Sequence, residues 1–533
     1  MNNKAFTLTE LLGVIVILSI LAVITVPLIT GSITSSKKNL HDRQIEMIKN
    51  AAERYVTDNA LTFNDNQVCV KTLKDEGYLK NESILDPNNQ SREIDGCVKV
   101  NKTGNNYEYE YISICELYVS SSGNDSTGNG YESKPFATIE KAYSVAEEKC
   151  TIYLVNNITL SNTITFDKNK KIILMGKDNV KKTITRSSSY KELIINNKSG
   201  QLTLKAITLN GNNIQSTNSM IKNGAKLVLG SNTLFVNNIS SASPIINTSN
   251  LNIDDAKISN NKFTGSTGGI IKNSGTLTIE SGTFKNNTSN AGGLIYNTNS
   301  VTINDGEFKD NNAINGAIVQ NKDNLRINNG TFSNNTATSS GGVVDNSGTT
   351  TIKAGTFNLN TAKTGGVFNS TGTLTIENTT ISDNTATKTG GALADFGRAT
   401  INNVKVINNK ANIGGGIYTG KNARSSINKA VISSNIANES GGGIAVEKNQ
   451  DLAINSMTRI ENNSAHVNGG GIYIITSGTV KLNEAIVKKN SAKNQDGGIC
   501  NNGGTVMISN NSFICYNNTP FNSFDKSYSS LCN

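Results

Sequence analysis

Carboxylates, thiols and lysines carry whatever chemistry this chain of 533 residues can do. Its two histidines, His41 and His466, are too few for an imidazole-based metal centre, and no metal site is expected. Seven cysteines fall in two groups: Cys69, Cys97, Cys115 and Cys150 near the front, and Cys500, Cys515 and Cys532 at the end. With no CxxC pair and no Cys/His zinc spacing, they read as disulfide staples at the ends of a stack in an exported protein, one thiol being left over. Glycoside hydrolysis needs two placed carboxylates, and a polysaccharide lyase needs clustered acids for calcium plus a basic residue. The nearest approach is Asp395 with Glu447. Counted from the Gly pairs before them they share one position two coils apart, about 9.6 Å at strand spacing. Because Asn273, Asn297, Asn321 and Asn346 hold that position elsewhere, the expectation is a polar outer column, no catalytic residue and no cofactor. Asp310 and Asp383 stand isolated between Asn neighbours. The Gly triplets from Gly414, Gly441 and Gly469 lack the strand-to-helix setting of a phosphate loop. Between Asp167 and Arg186 the chain is densely basic, with Lys168, Lys170, Lys171, Lys177, Lys181, Lys182 and Arg186, which reads as a solvated face or a polyanion patch.

The elements that must position these groups are not those of an ordinary globular enzyme. There is no tryptophan, aromatic residues are 6% and charged residues 17%, and Asn, Gly, Thr, Ser, Ile and Lys dominate. Such residues fill a broad core poorly but suit a narrow one built by stacking similar turns of chain. The net charge of +9 is compatible with acidic glycans, nucleic acid or anionic surfaces without selecting among them.

At the N-terminus one carboxylate, Glu10, stands at the mouth of an apolar run. Nineteen residues from Leu11 to Ile29 carry no charge, enough to cross about 30 Å of hydrocarbon at about 1.5 Å per helical residue. The run is too long, its basic leader too short and its flank too large for a cleaved secretion signal. The stretch KAFTLTELLGVIVILSILAVITVPLI resembles the N-terminus of type IV prepilins and pseudopilins. That resemblance implies a prepilin peptidase cutting between Ala5 and Phe6, N-methylation of Phe6, and Glu10 as the fifth residue of the mature chain. Ala5 stands where the family usually has Gly, and Thr9 where Ile is commoner. Pro27 falls where many pilin helices kink, since proline removes a backbone donor. A carboxylate at the edge of hydrocarbon is costly without a partner; in the family that partner is the Phe6 ammonium of a neighbouring subunit. Implied partners are other pilin subunits, the peptidase, and the cytoplasmic membrane before assembly.

Leu40, Ile45, Ile48, Ala52, Tyr55 and Val56 recur near helical spacing, so the helix is expected to run on to about Ala60 with an apolar face for the domain beyond it. Residues 1–5 are then a leader, 6–62 the pilin-type helix and 63–116 a small α+β segment. In that segment KTLKDEGYLKN reads as a short helix closing at Gly77, and CVKVNKTGNNYEYEYISIC as two strands about a turn. GYLKNESILDP is similar to pilin head segments of Gram-positive bacteria, and Cys97 can pair with Cys115 or with Cys69.

From Leu117 the texture changes. LYVSSSGNDSTGNGYESKPFATIEKAYSVA resembles the opening of right-handed parallel β-helix proteins of the pectin-lyase-like class, which implies a strand and then a helix covering the end of the stack over 117–150. Irregular coils occupy 151–267, regular ones 268–515 and a cap 516–533. In the regular part Gly pairs at Gly268, Gly292, Gly316 (where Ala317 is the second member), Gly341, Gly365, Gly390, Gly415, Gly442, Gly470 and Gly497 recur every 24 to 28 residues, one coil of a solenoid each. Every coil also places Asn three residues after an aromatic or β-branched residue: Asn287, Asn311, Asn335, Asn360, Asn384, Asn409, Asn435, Asn463 and Asn490. These are expected to stack as an amide ladder at strand spacing. The GG[I/L/V] and FxxN pattern also resembles the repeats of polymorphic outer-membrane proteins, a β-helical family linked to adhesion.

The expectation is a mainly β chain: a right-handed parallel β-helix of about 14 coils, roughly 65–70 Å long, behind a pilin-type helix and a small α+β segment. Its role would be that of a minor pilin showing a glycan or host surface an adhesive head, first in the cytoplasmic membrane and then on an extracellular pilus. Alternatives are an assembly initiator, a displayed polysaccharide-degrading enzyme and a DNA-capturing pilin. Intact-mass measurement of the cellular protein should find chains starting at N-methylated Phe6. Chains retaining Met1, or starting well beyond Ile29, would exclude the pilin assignment.

Overall fold

The computed structural model describes residues 33, 35–59, 67–87, 89–103, 106–187, 191–197, 199–421, 423–447, 451–509, 511–516, 518–520, 524 and 532. Helix α1 covers 35–58. Its buried face, Ile48, Ala51, Ala52 and Val56, repeats at helical spacing, and Ile48, Ala51 and Ala52 pack on Val68, Leu73, Leu79 and Val98. Leu40 is not on that face but 51% exposed. At about 100° per residue it points about 120° away from Ala52, and only from Ile45 onward does α1 meet the sheet. The Asn59 amide closes the helix by donating to Tyr55 O at 2.9 Å.

Behind α1 lies a three-stranded antiparallel sheet, Gln67–Cys69 beside Gly96–Thr103 beside Asn106–Ser113. Helix α2, Val70–Asp75, buries Val70 and Leu73 against it and ends before Gly77, whose φ of +79° suits glycine. Cys69 and Cys97 face one another across the first strand pair and are disulfide-bonded.

The chain then enters a parallel β-solenoid of 14 coils, counted by the 14-stranded sheet that runs along one side. A 12-stranded sheet forms a second side, and a 29-stranded sheet with two strands from most coils completes the wall. Helix α3, Ile139–Val145, closes the lower end with Ile139, Ala142 and Tyr143 buried. Its N-terminus is capped by Thr138 Oγ1 accepting from Lys141 N at 3.1 Å. The Lys170 ammonium donates to the carbonyls of Tyr143, at 2.9 Å, and Ala146 at the other end. Cys115–Cys150 staples the first strand to the first coil, Cys515–Cys532 the last coil to the C-terminus, and Cys500 is a free, buried thiol.

Inside, like stacks on like. Ile221, Ile245, Ile271, Ile295, Val319 and Val344 succeed one another in register, and Phe284, Phe308, Phe332 and Phe357 stack with centroids 4.6–4.7 Å apart and rings within 7° of parallel. Beside the phenylalanines runs an unbroken chain of buried amides. Each Nδ2 donates to Oδ1 of the next coil at 2.9–3.1 Å through Asn287, Asn311, Asn335, Asn360, Asn384, Asn409, Asn435, Asn463 and Asn490. The same chain reaches down to Asn238 and Asn261 and up to Asn518. The nearest coil walls leave no room for a side chain: a Cβ on Gly342 would lie 2.0 Å from Gly366 O, and Gly365 adopts φ +65°.

Two readings of the repeats are corrected. The column Asn273, Asn297, Asn321 and Asn346 is not outward but at most 1% exposed, because each Asn lies two residues after an inward Ile or Val on one strand. It forms a second ladder from Asn196 to Asn346, with Nδ2 to Oδ1 distances of 2.7–2.9 Å. The Gly triplets, moreover, align on their first glycine. Gly414, Gly441 and Gly469 have φ of +66°, +74° and +63°, matching +67° at Gly390, so Asp395 pairs with Thr419 and then Val446, and Glu447 is one residue out of its column.

Asn335→Ala removes an amide that accepts from Asn311 N and Nδ2 and donates to Phe308 O and Asn360 Oδ1. Four buried groups lose a partner, so the loss of unfolding free energy is expected at about 3 kcal/mol or more. Denaturant titration checks it against outward Thr351→Ala, expected within about 0.5 kcal/mol of the parent; equal effects would deny the ladder its structural role.

Candidate functional site

The assembly motif comes first in the chain. Ala5, Phe6, Glu10, the apolar run Leu11–Ile29 and Pro27 lie outside the described residues, as does Ala60. Among the described residues no helix is long and apolar enough to cross a membrane. Beyond that motif, α1 arrives with one side committed to the sheet and Leu40 and Met47 exposed on another.

No acid pair forms where the sequence offered one. Asp395 points inward and is fully buried, accepting from Ser425 Oγ at 2.6 Å and Gly397 N at 3.1 Å, and burial pushes its carboxyl above the usual aspartate range. Glu447 instead accepts from the Tyr418 hydroxyl on the outer side of the wall, where Tyr418 packs with Ala394, Ala445 and Phe396. Burial first, and then Glu447, push the Tyr418 hydroxyl up. The two carboxylates thus face opposite sides of one sheet. Burial, with Asp496 second, pushes the Cys500 thiol up to about 12, a protonated and weakly nucleophilic state. His41 lies 3.7 Å from Asp86. Among the described residues no group of three His, Cys, Asp or Glu side chains could hold a metal ion.

The basic run is taken apart by the fold. Arg186 is not on the surface but 2% exposed, since Ile184 two residues earlier also points inward. Its guanidinium donates to Ser216 Oγ at 2.8 Å, Ser219 O at 2.7 Å and Lys191 O at 3.0 Å. Lys170 is spent on the end of α3, and Lys177 pairs with Glu132. Lys168, Lys171 and Lys181 remain exposed and Lys182 half-buried, on different strands and turns. Sequence reading missed the grouping that register creates: exposed Lys149, Lys171 and Lys226 share one outward column.

A long helix seated on a disulfide-stapled antiparallel sheet and continued after two residues by a 14-coil solenoid defines a β-solenoid protein with an N-terminal helix-and-sheet unit. Residues 1–26 match the family model described as the prokaryotic N-terminal methylation motif. The competence protein ComGC of Bacillus subtilis (strain 168) is 31% identical over 96 residues, which take in 93% of that protein and 18% of this chain. The chain therefore belongs to the type IV pilin-like family that carries this methylation motif and includes ComGC. No solved structure matches the chain.

The buried carboxyl yields a signed pH effect. With its folded pKa raised, Asp395 holds its proton more tightly in the folded state, so its contribution is full below the unfolded value of about 3.9 and is lost as pH rises through the folded value. Asp395→Asn, the residue that the same column holds at Asn346, should flatten the fall in stability above about pH 4 and leave the protein at least as stable at about pH 7. Thermal unfolding across that range checks it; an unchanged slope would remove the burial argument.

Proposed function

We propose that this chain is a minor pilin-like subunit whose solenoid forms an adhesive head at the tip of a type IV pilus or pseudopilus. The observation that carries this reading is the joining of a pilin-type N-terminal unit, similar to 93% of the length of ComGC, to a solenoid several times its size. Prepilin peptidase would cut between Ala5 and Phe6 and the new amine would be methylated. The Glu10 carboxylate would then meet the Phe6 ammonium of a neighbour as the helix leaves the cytoplasmic membrane for the filament core. The coils would wind right-handed, as parallel crossovers do in nearly every case.

Bulk supports the tip position. A head of about 400 residues, extending roughly 65–70 Å at strand spacing, would crowd its neighbours at every step of a close-packed shaft, whereas the end of a filament leaves it free. Adhesion without catalysis is favoured because the best candidate acids face opposite sides of one sheet and Asp395 is sealed from substrate. A second reading, capture of nucleic acid, draws on a relative named for competence.

Immunogold labelling of sheared filaments tests the reading. Gold at filament ends is expected, and its loss on substituting Glu10. Even labelling along the shaft would overturn the tip position, and absence from filaments in the parent strain would overturn the pilin role.

A further inference from the structure

The outward side chains of the lower coils carry a charge pattern that the fold does not need. Lys149 pairs in register with Lys171, Lys171 with Gln201, and Gln201 with Lys226, so three exposed lysines climb one column in four coils. Like charges directly opposite on adjacent strands are destabilising. The next six positions of the same column, Asn250, Thr276, Ser300, Asn324, Thr349 and Thr373, are neutral before Arg398 follows, so the wall is built over those coils without charge. Nearby Lys177 and Lys222 are each held by a carboxylate, Glu132 and Glu192. Among the described residues Lys149, Lys171 and Lys226 make no ion pair, and neither does Lys205 beside them.

Lys149, Lys171 and Lys205 line a cleft of about 620 Å³, and Lys226 stands next in register beyond Gln201 of its lining. Its floor alternates hydrogen-bonding groups, Thr151, Thr203 and Gln201, with the aliphatic surfaces of Ile173 and Val228. Two acids also reach it: Glu116, which accepts from the Tyr153 hydroxyl at 3.1 Å, and exposed Asp254 at a strand irregularity. Among the described residues no aromatic ring lines the cleft, so they offer no stacking platform of the kind that holds single-stranded bases. Its volume is that of a compact ligand site, not of a duplex. Hydroxyl and amide groups set among aliphatic patches suit a sugar ring, which offers hydroxyls at its rim and C–H groups on its face.

We propose that this face binds an acidic polysaccharide, its carboxylate or sulfate groups lying along the column of Lys149, Lys171 and Lys226 and its rings on the cleft floor. The inference gives the adhesive reading a ligand class and rests on that reading for its setting. The assay uses purified protein, however, and so can fail while the tip location stands.

Detergent-solubilised full-length protein should bind immobilised polygalacturonate or dextran sulfate, but not neutral dextran, with affinity falling as salt rises. Replacing Lys149, Lys171 and Lys226 together by Gln should weaken binding about tenfold and reduce its salt dependence. Lys171→Gln alone should weaken it by about threefold, and Lys257→Gln with Lys285→Gln, an exposed pair on the adjoining strands, should leave it unchanged. The triple variant should unfold no earlier than the parent, because a repulsion is relieved. Failure to bind either acidic probe, equal binding of neutral dextran, or undiminished binding by both lysine variants would overturn the proposal. Tighter binding of duplex DNA through the same lysines would transfer the face to nucleic acid and equally overturn it.

Discussion

Everything above the pilin-type unit depends on a buried amide bonding to its own copy one coil away. Asparagine is short enough to stay in the bend, and it carries two donors and an acceptor. Each ladder residue can therefore give one hydrogen to the next amide, another to a backbone carbonyl, and accept from the coil before. In a dry interior an unmade bond of this kind costs about 1–3 kcal/mol. A slip of one residue would break several at once, so register is held far more firmly than stacking of Ile on Ile alone would hold it.

The ladder fixes the inside and leaves the outside free. Its steps are 24 or 25 residues from Asn287 to Asn409 and then 26, 28, 27 and 28 up to Asn518, yet the amide distance stays between 2.9 and 3.1 Å. The second ladder has by then given way to Ser370, Asp395, Thr419 and Val446, so the first maintains register there without it. Outward columns answer to no such rule. Threonine, asparagine, lysine and arginine all occupy one column of the 29-stranded sheet, and a recognition surface can change without disturbing the core.

The same division governs how much was legible in the residues alone. The FxxN spacing revealed the first ladder, and it extends to Phe235 with Asn238, Ile258 with Asn261 and Cys515 with Asn518, where looser coils hid it. Polarity alone puts the asparagines of the second ladder on the outside. Counting two residues on from Ile271 or Ile295 would have turned them inward, and the same count from Ile184 would have buried Arg186. Glycine triplets gave no sign of which glycine takes positive φ, and choosing the second cost one residue of register, enough to place Glu447 beside Asp395. The lysine column had no sequence signal at all: its steps of 22, 30 and 25 residues cross coils with no constant period, and only strand pairing aligns them. The processing motif was legible from its residues, and the family match rests on those residues too.

The junction between the two parts is short and cross-linked, which matters under the proposed role. A subunit that holds a surface while its filament is pulled transmits the load through whatever joins head to helix. Here the strand Asn106–Ser113 is succeeded after two residues by Glu116–Val119, the first strand of the solenoid. Ile114 N donates to Asp95 O at 3.1 Å on one side, and Cys115 is bonded to Cys150 on the other. Glu93 N donating to the Tyr131 hydroxyl at 2.8 Å and Ser113 donating to Glu147 bridge the same boundary. Tension entering at the solenoid therefore crosses a covalent loop, then a sheet whose first strand is tied to its central one by Cys69–Cys97, before reaching α1. A flexible linker would let the head search more space, but it would give up this continuity. The chain has the short, stapled form, which suits a head that must stay aligned with its filament more than one that must roam.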